Sequence, residues 1–150
     1  RLRQRLCEVG VAVLEDEHST VELPCGARLA IVGLRDAYLE DPDYDAAWRG
    51  VPDDAPVLVL AHSPDVLPEL ARRRAHLAFF GHTHGGQVRL PFVGAVVTRS
   101  HLPGSRASGI FTQGPLVYTL NNGIGAGRWM TFRLGCRPEA TVVDIEPRSE

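Results

Sequence analysis

The stretch of sequence that decides the fold is VLVLAHSPDVLPELARRRAHLAFFGHTHGGQ, residues 57–87. It begins with an apolar run of β-forming residues, 57–61, of the kind found in strands buried on both faces. An apolar stripe at helical spacing follows at 66–71, and a second apolar run at 77–80 ends at Gly81. The stretch therefore predicts a strand–helix–strand unit, which favours two parallel strands joined by a right-handed crossover.

Three histidines follow these predicted strands at the points where the strands end. His62 leaves the first strand, and His82 and His84 leave the second. Parallel neighbouring strands lie about 5 Å apart, or about 10 Å with one strand between them, and their carboxyl ends form the edge where open α/β sheets bind ligands. Because neutral imidazole is the commonest protein ligand of transition metals, the histidines predict a metal site. The spacing leaves open whether they serve one ion or two neighbouring ions.

The rest of the chain predicts shorter elements around this unit. Asp65 is the expected N-cap of the helix between the two strands, and further helices are predicted at 1–8 and 44–48. The other predicted strands are 11–14, a hairpin of 21–23 with 29–32, and then 116–120, 129–134 and 141–145. Glycine, serine and proline are frequent in 91–115, which predicts a long surface loop, and 146–150 is expected to be a frayed tail.

Composition restricts the classes of function. A length of 150 residues fits one domain, and a net charge of −2 does not indicate general nucleic-acid binding. No apolar run approaches the roughly 20 residues that span a bilayer. Cys7, Cys25 and Cys136 are far apart and form no C-x-x-C pair, so we interpret them as buried or idle thiols. Because the chain starts at Arg1 and its one methionine is Met130, we expect that an N-terminal part has been removed.

Four segments together resemble a known family. They are AHSPD at 61–65, GHTHGGQ at 81–87, NGIG at 122–125 and CRPE at 136–139, of which GHTHGGQ is the most specific. They resemble the C-terminal half of a calcineurin-like metallophosphoesterase, in the bacterial phosphodiesterase branch whose histidine motif continues as HTHGGQ. The resemblance implies an α/β fold, the C-terminal part of a β-sandwich of mixed sheets flanked by helices. Residues 1–150 are then the C-terminal portion of a single phosphoesterase domain.

The resemblance also implies a site. In that family two divalent metals hold a bridging hydroxide that attacks phosphorus in line. By motif, His62 and His82 bind one metal and His84 binds the other, with Mn, Fe or Zn as the ions of the full enzyme. The residues implied to contact a phosphate ester substrate are Gly85, Gly86, Gln87 and Asn122. No catalytic residue is assigned within this chain.

Several parts of the family pattern are missing from the sequence. The N-terminal Asp-x-His, Gly-Asp-x-x-Asp and Gly-Asn-His-Asp motifs are absent, and Asp16-Glu17-His18 matches the first of them in spacing alone. Family members often carry Asp where this chain reads Arg74-Ala75-His76, and Arg where it has Asn122. The missing N-terminal motifs would supply metal ligands in the family. The differences at 74–76 and at Asn122 concern substrate contacts.

Two functions remain open at this point. The first is a metal-dependent phosphoesterase acting on a phosphomonoester or phosphodiester, with these 150 residues alone inactive. The alternative is a non-catalytic folded module that binds one metal or a partner chain and associates with itself through exposed sheet edges. A cytoplasmic and a membrane-associated location are both compatible with the sequence.

Overall fold

The computed structural model describes residues 2–127 and 131–146. The helices are α1 (Leu2–Glu8), α2 (Tyr44–Trp48) and α3 (Leu67–Leu70). The strands are β1 (Glu17–Glu22), β2 (Arg28–Gly33), β3 (Val57–Leu60), β4 (Leu77–Phe80), β5 (Arg89–Leu90), β6 (Gly94–Ala95), β7 (Gly109–Gln113) and β8 (Leu116–Leu120). Short 3₁₀ turns occur at Pro64–Val66, His84–Gly86 and Gly104–Arg106.

Six of these strands form one mixed sheet in the order β1-β2-β3-β4-β8-β7. The four central strands are parallel, and each edge strand joins them through an antiparallel hairpin. Strands β5 and β6 form a separate two-stranded ribbon. This mixed α/β architecture is compatible with the predicted fold class, although the described residues contain one large sheet and not the two of a sandwich.

The core lies on the central strands and under the crossover. In β3, Val57, Leu58 and Val59 are all buried, which explains the continuous apolar run, because helices or loops cover both faces of a central parallel strand. On the other side of the core, Tyr118 is fully buried, and its ring centroid lies 6.0 Å from that of Phe80.

The predicted strand–helix–strand unit is confirmed. Strands β3 and β4 are parallel neighbours, and the chain between them contains the 3₁₀ turn Pro64–Val66 followed by α3. Val66, Leu67 and Leu70 are buried as expected, whereas Ala71 is exposed. Helix α2, β2, β8 and the helix before Gly10 also match the predicted positions. The hairpin is present, but its first strand β1 begins at Glu17, four residues before the predicted 21–23.

The predicted N-cap of the crossover helix was wrong. Ser63 caps the 3₁₀ turn that leads into α3, because its hydroxyl accepts a hydrogen bond from the backbone N–H of Asp65 at 3.2 Å. Helix α3 itself follows Val66 and has no side-chain cap. Asp65 instead turns its carboxylate towards a distant loop, where it accepts from the Ser100 hydroxyl at 2.7 Å and the His101 backbone N–H at 2.9 Å. Both residue types are good caps, so the distant loop decides which of them caps this turn.

Two predicted strands are absent. Residues 11–14 are irregular: the Val11 N–H bonds to Leu6 at the end of α1, and Leu14 packs directly on Gly33 of β2. Residues 141–145 are also irregular and lie on the surface, with Val142 89% exposed. Both segments contain β-forming residues, but neither pairs with a neighbouring strand, and pairing is what stabilises a strand.

The predicted loop at 91–115 was also wrong in part. It contains β6, a 3₁₀ turn and the whole of β7, which forms a hairpin with β8. Of the predicted strand 129–134, residues 129 and 130 lie outside the described part of the chain. The described remainder forms one isolated bridge between Leu134 and Val88. The predicted tail lies almost entirely outside the described residues.

Two predictions from composition concern membranes and disulfides. In the part of the chain that the structure describes, no helix is long and apolar enough to cross a bilayer. Cys7 and Cys25 are exposed, Cys136 is buried, and none of the three is in a disulfide in the structure.

Candidate metal centre

The three predicted metal-binding histidines meet in one cavity. His62, His82 and His84 line a space of about 420 Å³ at the carboxyl ends of β3 and β4. The backbone ladder explains this, because the Gly81 N–H bonds to the His62 carbonyl at 3.0 Å just beyond the paired residues of the two strands. The edge at which the sequence places the histidines is thus the edge at which the structure brings them together.

His62 and His82 form a close pair. Their ring centroids lie 5.1 Å apart in an edge-to-face arrangement, a separation at which two imidazoles can approach one ion. The Tyr38 ring lies 4.6 Å from the His82 ring on its other side. His82 Nε2 is 2.8 Å from the carbonyl oxygen of Arg99, so the loop after β6 also touches this ligand pair.

The turn that carries His82 and His84 has an unusual backbone. Both histidines have positive φ angles, 63° and 50°, as does Gln87 at 54°. Non-glycine residues rarely adopt this conformation, and such strain concentrates at functional sites. Thr83 braces the turn, because its hydroxyl donates to the Ala107 carbonyl at 2.7 Å and accepts from the Gly85 N–H at 3.3 Å.

His84 is half-buried and has one polar atom without a partner. Its Nδ1 is buried and makes no hydrogen bond to the residues that the structure describes. Burial is the main cause that lowers the pKa of His84 below its usual value, and the positive charge of Arg133 lowers it further. A hydrogen bond from the ring to the Gly125 backbone acts in the opposite direction. The lowered pKa favours neutral imidazole, the form that binds metals.

The donors fit a transition metal in kind but do not complete a site. Neutral imidazole is a suitable ligand for Zn, Fe or Mn, and the unpaired Nδ1 of His84 has no other use in the described structure. Among residues 2–127 and 131–146, however, no three His, Cys, Asp or Glu side chains are close enough to hold one ion. The described residues therefore present a histidine pair and a third histidine in one cavity.

The predicted substrate residues belong to the framework of the same turn. Gly86 and Gln87 line the cavity, and Gly85 lies against Asn122 and Cys136, where an added Cβ would come within 2.6 Å of the Cys136 sulfur. Gln87 is 8% exposed; its amide donates to the Phe132 carbonyl at 3.0 Å and accepts from the Gly127 N–H at 3.0 Å. Their contact with a substrate stays a prediction.

Three residues near the histidines were not predicted from the sequence. They are Tyr38, Arg99 and Arg133, which respectively pack on His82, line the cavity and bond to the carbonyl of His84. No local spacing marks any of them. Arginine is also the chain's only strongly basic residue type, with 16 copies, so nothing in the composition singles out two of them.

Comparison with known proteins finds relatives along most of the chain. The chain is 30% identical over 137 residues to the Bacillus subtilis (strain 168) protein named uncharacterized metallophosphoesterase YkuE, a match covering 91% of this chain and 47% of YkuE. It is 30% identical over 146 residues to phosphodiesterase YaeI of Escherichia coli (strain K12), covering 95% and 50%. These relatives support the metallophosphoesterase family. The chain spans about half the length of the curated relatives that it matches.

A third relative is named for a different activity. The chain is 31% identical over 117 residues to UDP-2,3-diacylglucosamine pyrophosphatase LpxG of Chlamydia trachomatis serovar D, covering 73% of this chain and 35% of LpxG. No family model matches the chain, and no solved structure matches it. The named metallophosphoesterase, phosphodiesterase and pyrophosphatase relatives support metal-dependent phosphoester hydrolysis in general.

Proposed function

We propose that this chain supplies the histidine ligands of a metal-dependent phosphoesterase that hydrolyses a phosphomonoester or phosphodiester. The observation that carries the proposal is the meeting of His62, His82 and His84 in one cavity at the carboxyl edge of a parallel sheet. The names of the relatives support the same reaction class.

The proposed centre is binuclear and divides the histidines between two ions. His62 and His82 hold one divalent metal, which their 5.1 Å ring separation supports. His84 holds the second, supported by its lowered pKa and its unpaired Nδ1. When bound, Mn, Fe or Zn ions polarise phosphoryl oxygens and lower the pKa of bound water, so that hydroxide is available near neutral pH.

The chain's own residues prepare the cavity for an anionic ester. Arg99 lines the cavity, and its guanidinium makes no ion pair within the described residues, so its charge is available to attract a phosphate group. Gly86 contributes backbone to the lining of the cavity, although it is its close approach to Ala95 that requires glycine there. Gly85, Gln87 and Asn122 are proposed to complete the substrate-facing surface.

We further propose that residues 1–150 are the C-terminal portion of one calcineurin-like phosphoesterase domain. The carboxylate and remaining ligands then come from polypeptide outside these residues. Support comes from the half-length match to YkuE and YaeI and from the lack of a third ligating side chain beside any histidine pair in the described chain.

The test separates metal binding from turnover. Calorimetric titration of the 150-residue chain with Mn²⁺ or Zn²⁺ is expected to show weak binding that His62→Ala and His84→Ala each reduce. The matched control is His101→Gln, because His101 is 95% exposed and outside the cavity. Binding that none of the cavity substitutions changes would contradict the assignment of the ligands.

Turnover is measured with Mn²⁺ and the chromogenic diester bis(p-nitrophenyl) phosphate. The chain alone is expected to show no efficient turnover, whereas full-length YaeI serves as the positive control. Turnover by the chain comparable to that of YaeI would contradict the proposal that ligands from elsewhere are required.

A second candidate is a non-catalytic module that binds one metal or a partner chain. The observation in its favour is that the described residues bring at most two histidines into a close pair. Strand β7 is a free edge on which Ile110 is 71% exposed, so self-association through that edge is its expected behaviour. Metal content and oligomeric state, measured before and after His84→Ala, distinguish the two: only the phosphoesterase requires metal at His84.

A further inference from the structure

An irregular loop at 97–102, which we call the Arg99 loop, forms part of the wall of the histidine cavity. Val97 and Arg99 line the cavity together with the three histidines. The carbonyl oxygen of Arg99 lies 2.8 Å from His82 Nε2, so the backbone of the loop also reaches the histidine pair. The loop therefore brings a permanent positive charge to the place where the proposed metal ligands meet.

The guanidinium of Arg99 is not used by the protein itself. Within the described residues its side chain makes no hydrogen bond and no ion pair, and Arg99 is exposed. Two other arginines beside the histidine turn differ, because Arg89 donates to the Gly85 carbonyl at 3.3 Å and Arg133 to the His84 carbonyl at 3.1 Å. The paired N–H donors of Arg99 are thus available to two oxygens of a phosphate group.

The backbone of the Arg99 loop has a conformation that must be held in place. Arg99 has a φ of 52°, in the left-handed region that non-glycine residues rarely adopt. The Thr98 hydroxyl makes hydrogen bonds to the carbonyls of Ser100 at 3.2 Å and Leu102 at 3.3 Å, but these bonds lie within the loop. Because such a conformation persists only where surrounding structure holds it, the loop needs an anchor outside itself.

Asp65 is that anchor. Its Oδ1 accepts from the Ser100 hydroxyl at 2.7 Å and from the His101 backbone N–H at 2.9 Å, and its side chain is 12% exposed. Asp65 is itself held in the turn after β3 by the bond from its N–H to Ser63, the residue next to a predicted metal ligand. One carboxylate oxygen thus ties the Arg99 loop to the turn that follows β3.

We propose that Arg99 binds the phosphate group of the substrate and that Asp65 is its positioning residue, which holds the Arg99 loop beside the histidines before the substrate arrives. A group that is already in place loses less conformational freedom on binding, so the affinity is higher. The proposal rests on the proposed function for the identity of the substrate as a phosphate ester. Loop order and anion binding, however, are both measurable without metal.

The charge of Asp65 allows the proposal to be tested by the sign of an effect. A carboxylate near a bound anion repels it, so removal of Asp65 should strengthen phosphate binding if Asp65 acts by charge alone. If Asp65 positions Arg99, the same removal should weaken binding. Asp65→Asn separates the two effects, because its amide oxygen can accept both bonds in the place of Oδ1 without the charge.

The first measurement follows the loop without metal or ligand. Heteronuclear ¹H–¹⁵N NOE values report the order of each backbone amide. Asp65→Ala is expected to lower the values of Arg99 and Ser100 to those of a flexible loop, and Asp65→Asn to keep them close to those of the unsubstituted chain. Asp53→Ala, at an exposed carboxylate without described side-chain bonds, is the matched control. Unchanged loop order in Asp65→Ala would overturn the positioning role.

The second measurement is a titration of the metal-free chain with inorganic phosphate, followed by the amide shifts of the Arg99 loop. Arg99→Gln is expected to weaken phosphate affinity about tenfold, because hydrogen bonds to a charged group are lost. Arg49→Gln removes an exposed arginine outside the cavity and should have little effect. Asp65→Ala should weaken phosphate affinity about two- to tenfold through the cost of ordering the loop, whereas Asp65→Asn should keep most of it.

The outcomes separate the two steps of the proposal. The absence of a phosphate-dependent shift in the unsubstituted chain, or equal losses in Arg99→Gln and Arg49→Gln, would overturn phosphate binding by Arg99. Unchanged or tighter binding in Asp65→Ala would overturn positioning by Asp65. A failure of the proposed function appears elsewhere, as a lack of histidine-dependent metal binding, and leaves both of these measurements valid.

A second variant excludes a folding failure as the cause. Ser100→Ala removes one of the two loop bonds to Asp65 without a change of charge, and it should weaken phosphate affinity less than Asp65→Ala. Ser105→Ala, at an exposed serine without described side-chain bonds, is its control. If circular dichroism shows that Asp65→Ala does not fold, Ser100→Ala decides: affinity equal to that of Ser105→Ala would overturn the positioning role.

Discussion

Residues 57–87 and residues 88–146 line the same cavity but are held in place by different means. In the first region, β3 and β4 pair along their backbones, and the ladder extends to the bond between Gly81 and His62. In the second region, β7 and β8 pair along their backbones, but the segments that reach the cavity, around Val97, Arg99 and Ala126, are irregular. Side chains such as Arg133 make many of the connections there. The first region can tolerate most exchanges of side chains that keep the apolar pattern, whereas single exchanges in the second should release a loop.

The largest expected effect lies where the two regions touch, at Gly86. A Cβ there would come within 3.1 Å of the Ala95 Cα and closer still to its side chain, at a φ of +80°. Left-handed strain and overpacking together predict that Gly86→Ala lowers the free energy of unfolding by about 2–5 kcal/mol. Urea denaturation followed by circular dichroism measures this change.

The matched control for Gly86 is Gly125→Ala. No atom lies within 4 Å of the position of its added Cβ, and its φ is not in the left-handed range. Its expected cost is about 0.5 kcal/mol. Similar losses for the two variants would show that close approach between the regions is not what requires glycine.

The next effect concerns Gln87, whose amide links the histidine turn to the second region. Gln87→Met keeps the length of the side chain but leaves the Gly127 N–H and the Phe132 carbonyl without this partner. Loss of the two hydrogen bonds of this buried amide predicts a loss of about 1–3 kcal/mol. In the control, Gln113→Met, a half-buried amide without described hydrogen bonds is replaced, so little change is expected. If thermal unfolding shows equal losses of stability for Gln87→Met and Gln113→Met, Gln87 does not link the two regions.

A smaller, pH-dependent effect is expected at Asp65. Burial raises the pKa of Asp65, but hydrogen bonds from Ser100 and His101 outweigh it and lower the pKa below its usual value. The folded state therefore binds a proton less readily than the unfolded state, and the stability that this carboxylate contributes is full above about pH 5 and is lost as the pH falls through the folded pKa.

Substitution of Asp65 should remove that contribution. Asp65→Asn is expected to lower stability by about 1 kcal/mol at pH 7, since hydrogen bonds to a charged acceptor are lost at a partly exposed site. The difference from the unsubstituted chain should shrink towards pH 3. Asp53→Asn, at an exposed carboxylate without described side-chain bonds, is the control. A difference that stays constant from pH 7 to pH 3 would contradict the role of ionisation.

The smallest effect is expected in the irregular segment 141–145. Proline removes an N–H and breaks a paired strand, at a cost of about 3 kcal/mol or more in the interior of regular structure. Val143→Pro is nevertheless expected to change stability by less than about 0.5 kcal/mol, because no ladder bond is present there. Val117→Pro in β8 should be severely destabilising, because the Val117 N–H bonds to the His76 carbonyl at 2.9 Å. A large loss of stability in Val143→Pro would instead indicate that residues 141–145 form a paired strand, as predicted from the sequence.

The same contrast explains how much of the fold the sequence could predict. Strands β3 and β4 were predictable because their residues are buried on a central sheet, and burial leaves an apolar pattern. Residues 11–14 and 141–145 also contain β-forming residues but have no partner strand, and no local pattern reveals that lack. Strand β7 was not predicted, because the glycine and proline in its hairpin turn with β8 are also typical of a loop.

The candidate site divides in the same way. The edge rule predicted the meeting of His62, His82 and His84, because it needs only the direction of two neighbouring strands. It could not predict the contact of Tyr38 with His82 or the bonds from Arg133, because these depend on loops that return to the site from distant parts of the chain. The position of Asp65 fails for the same reason, since Ser100 and His101 lie far along the sequence.

The place of β8 in the sheet has a consequence for biosynthesis. Strand β8 pairs with β4 in the interior of the sheet, yet residues 81–115 must leave the ribosome before it does. During that interval the β4 edge that β8 will cover has no partner, and an uncovered edge can capture a strand of another nascent chain. The β7–β8 hairpin is local and can form first, so we expect it to dock on β4 as a preformed unit. The time until it docks is then the time for which chaperones would have to protect the β4 edge of the growing chain.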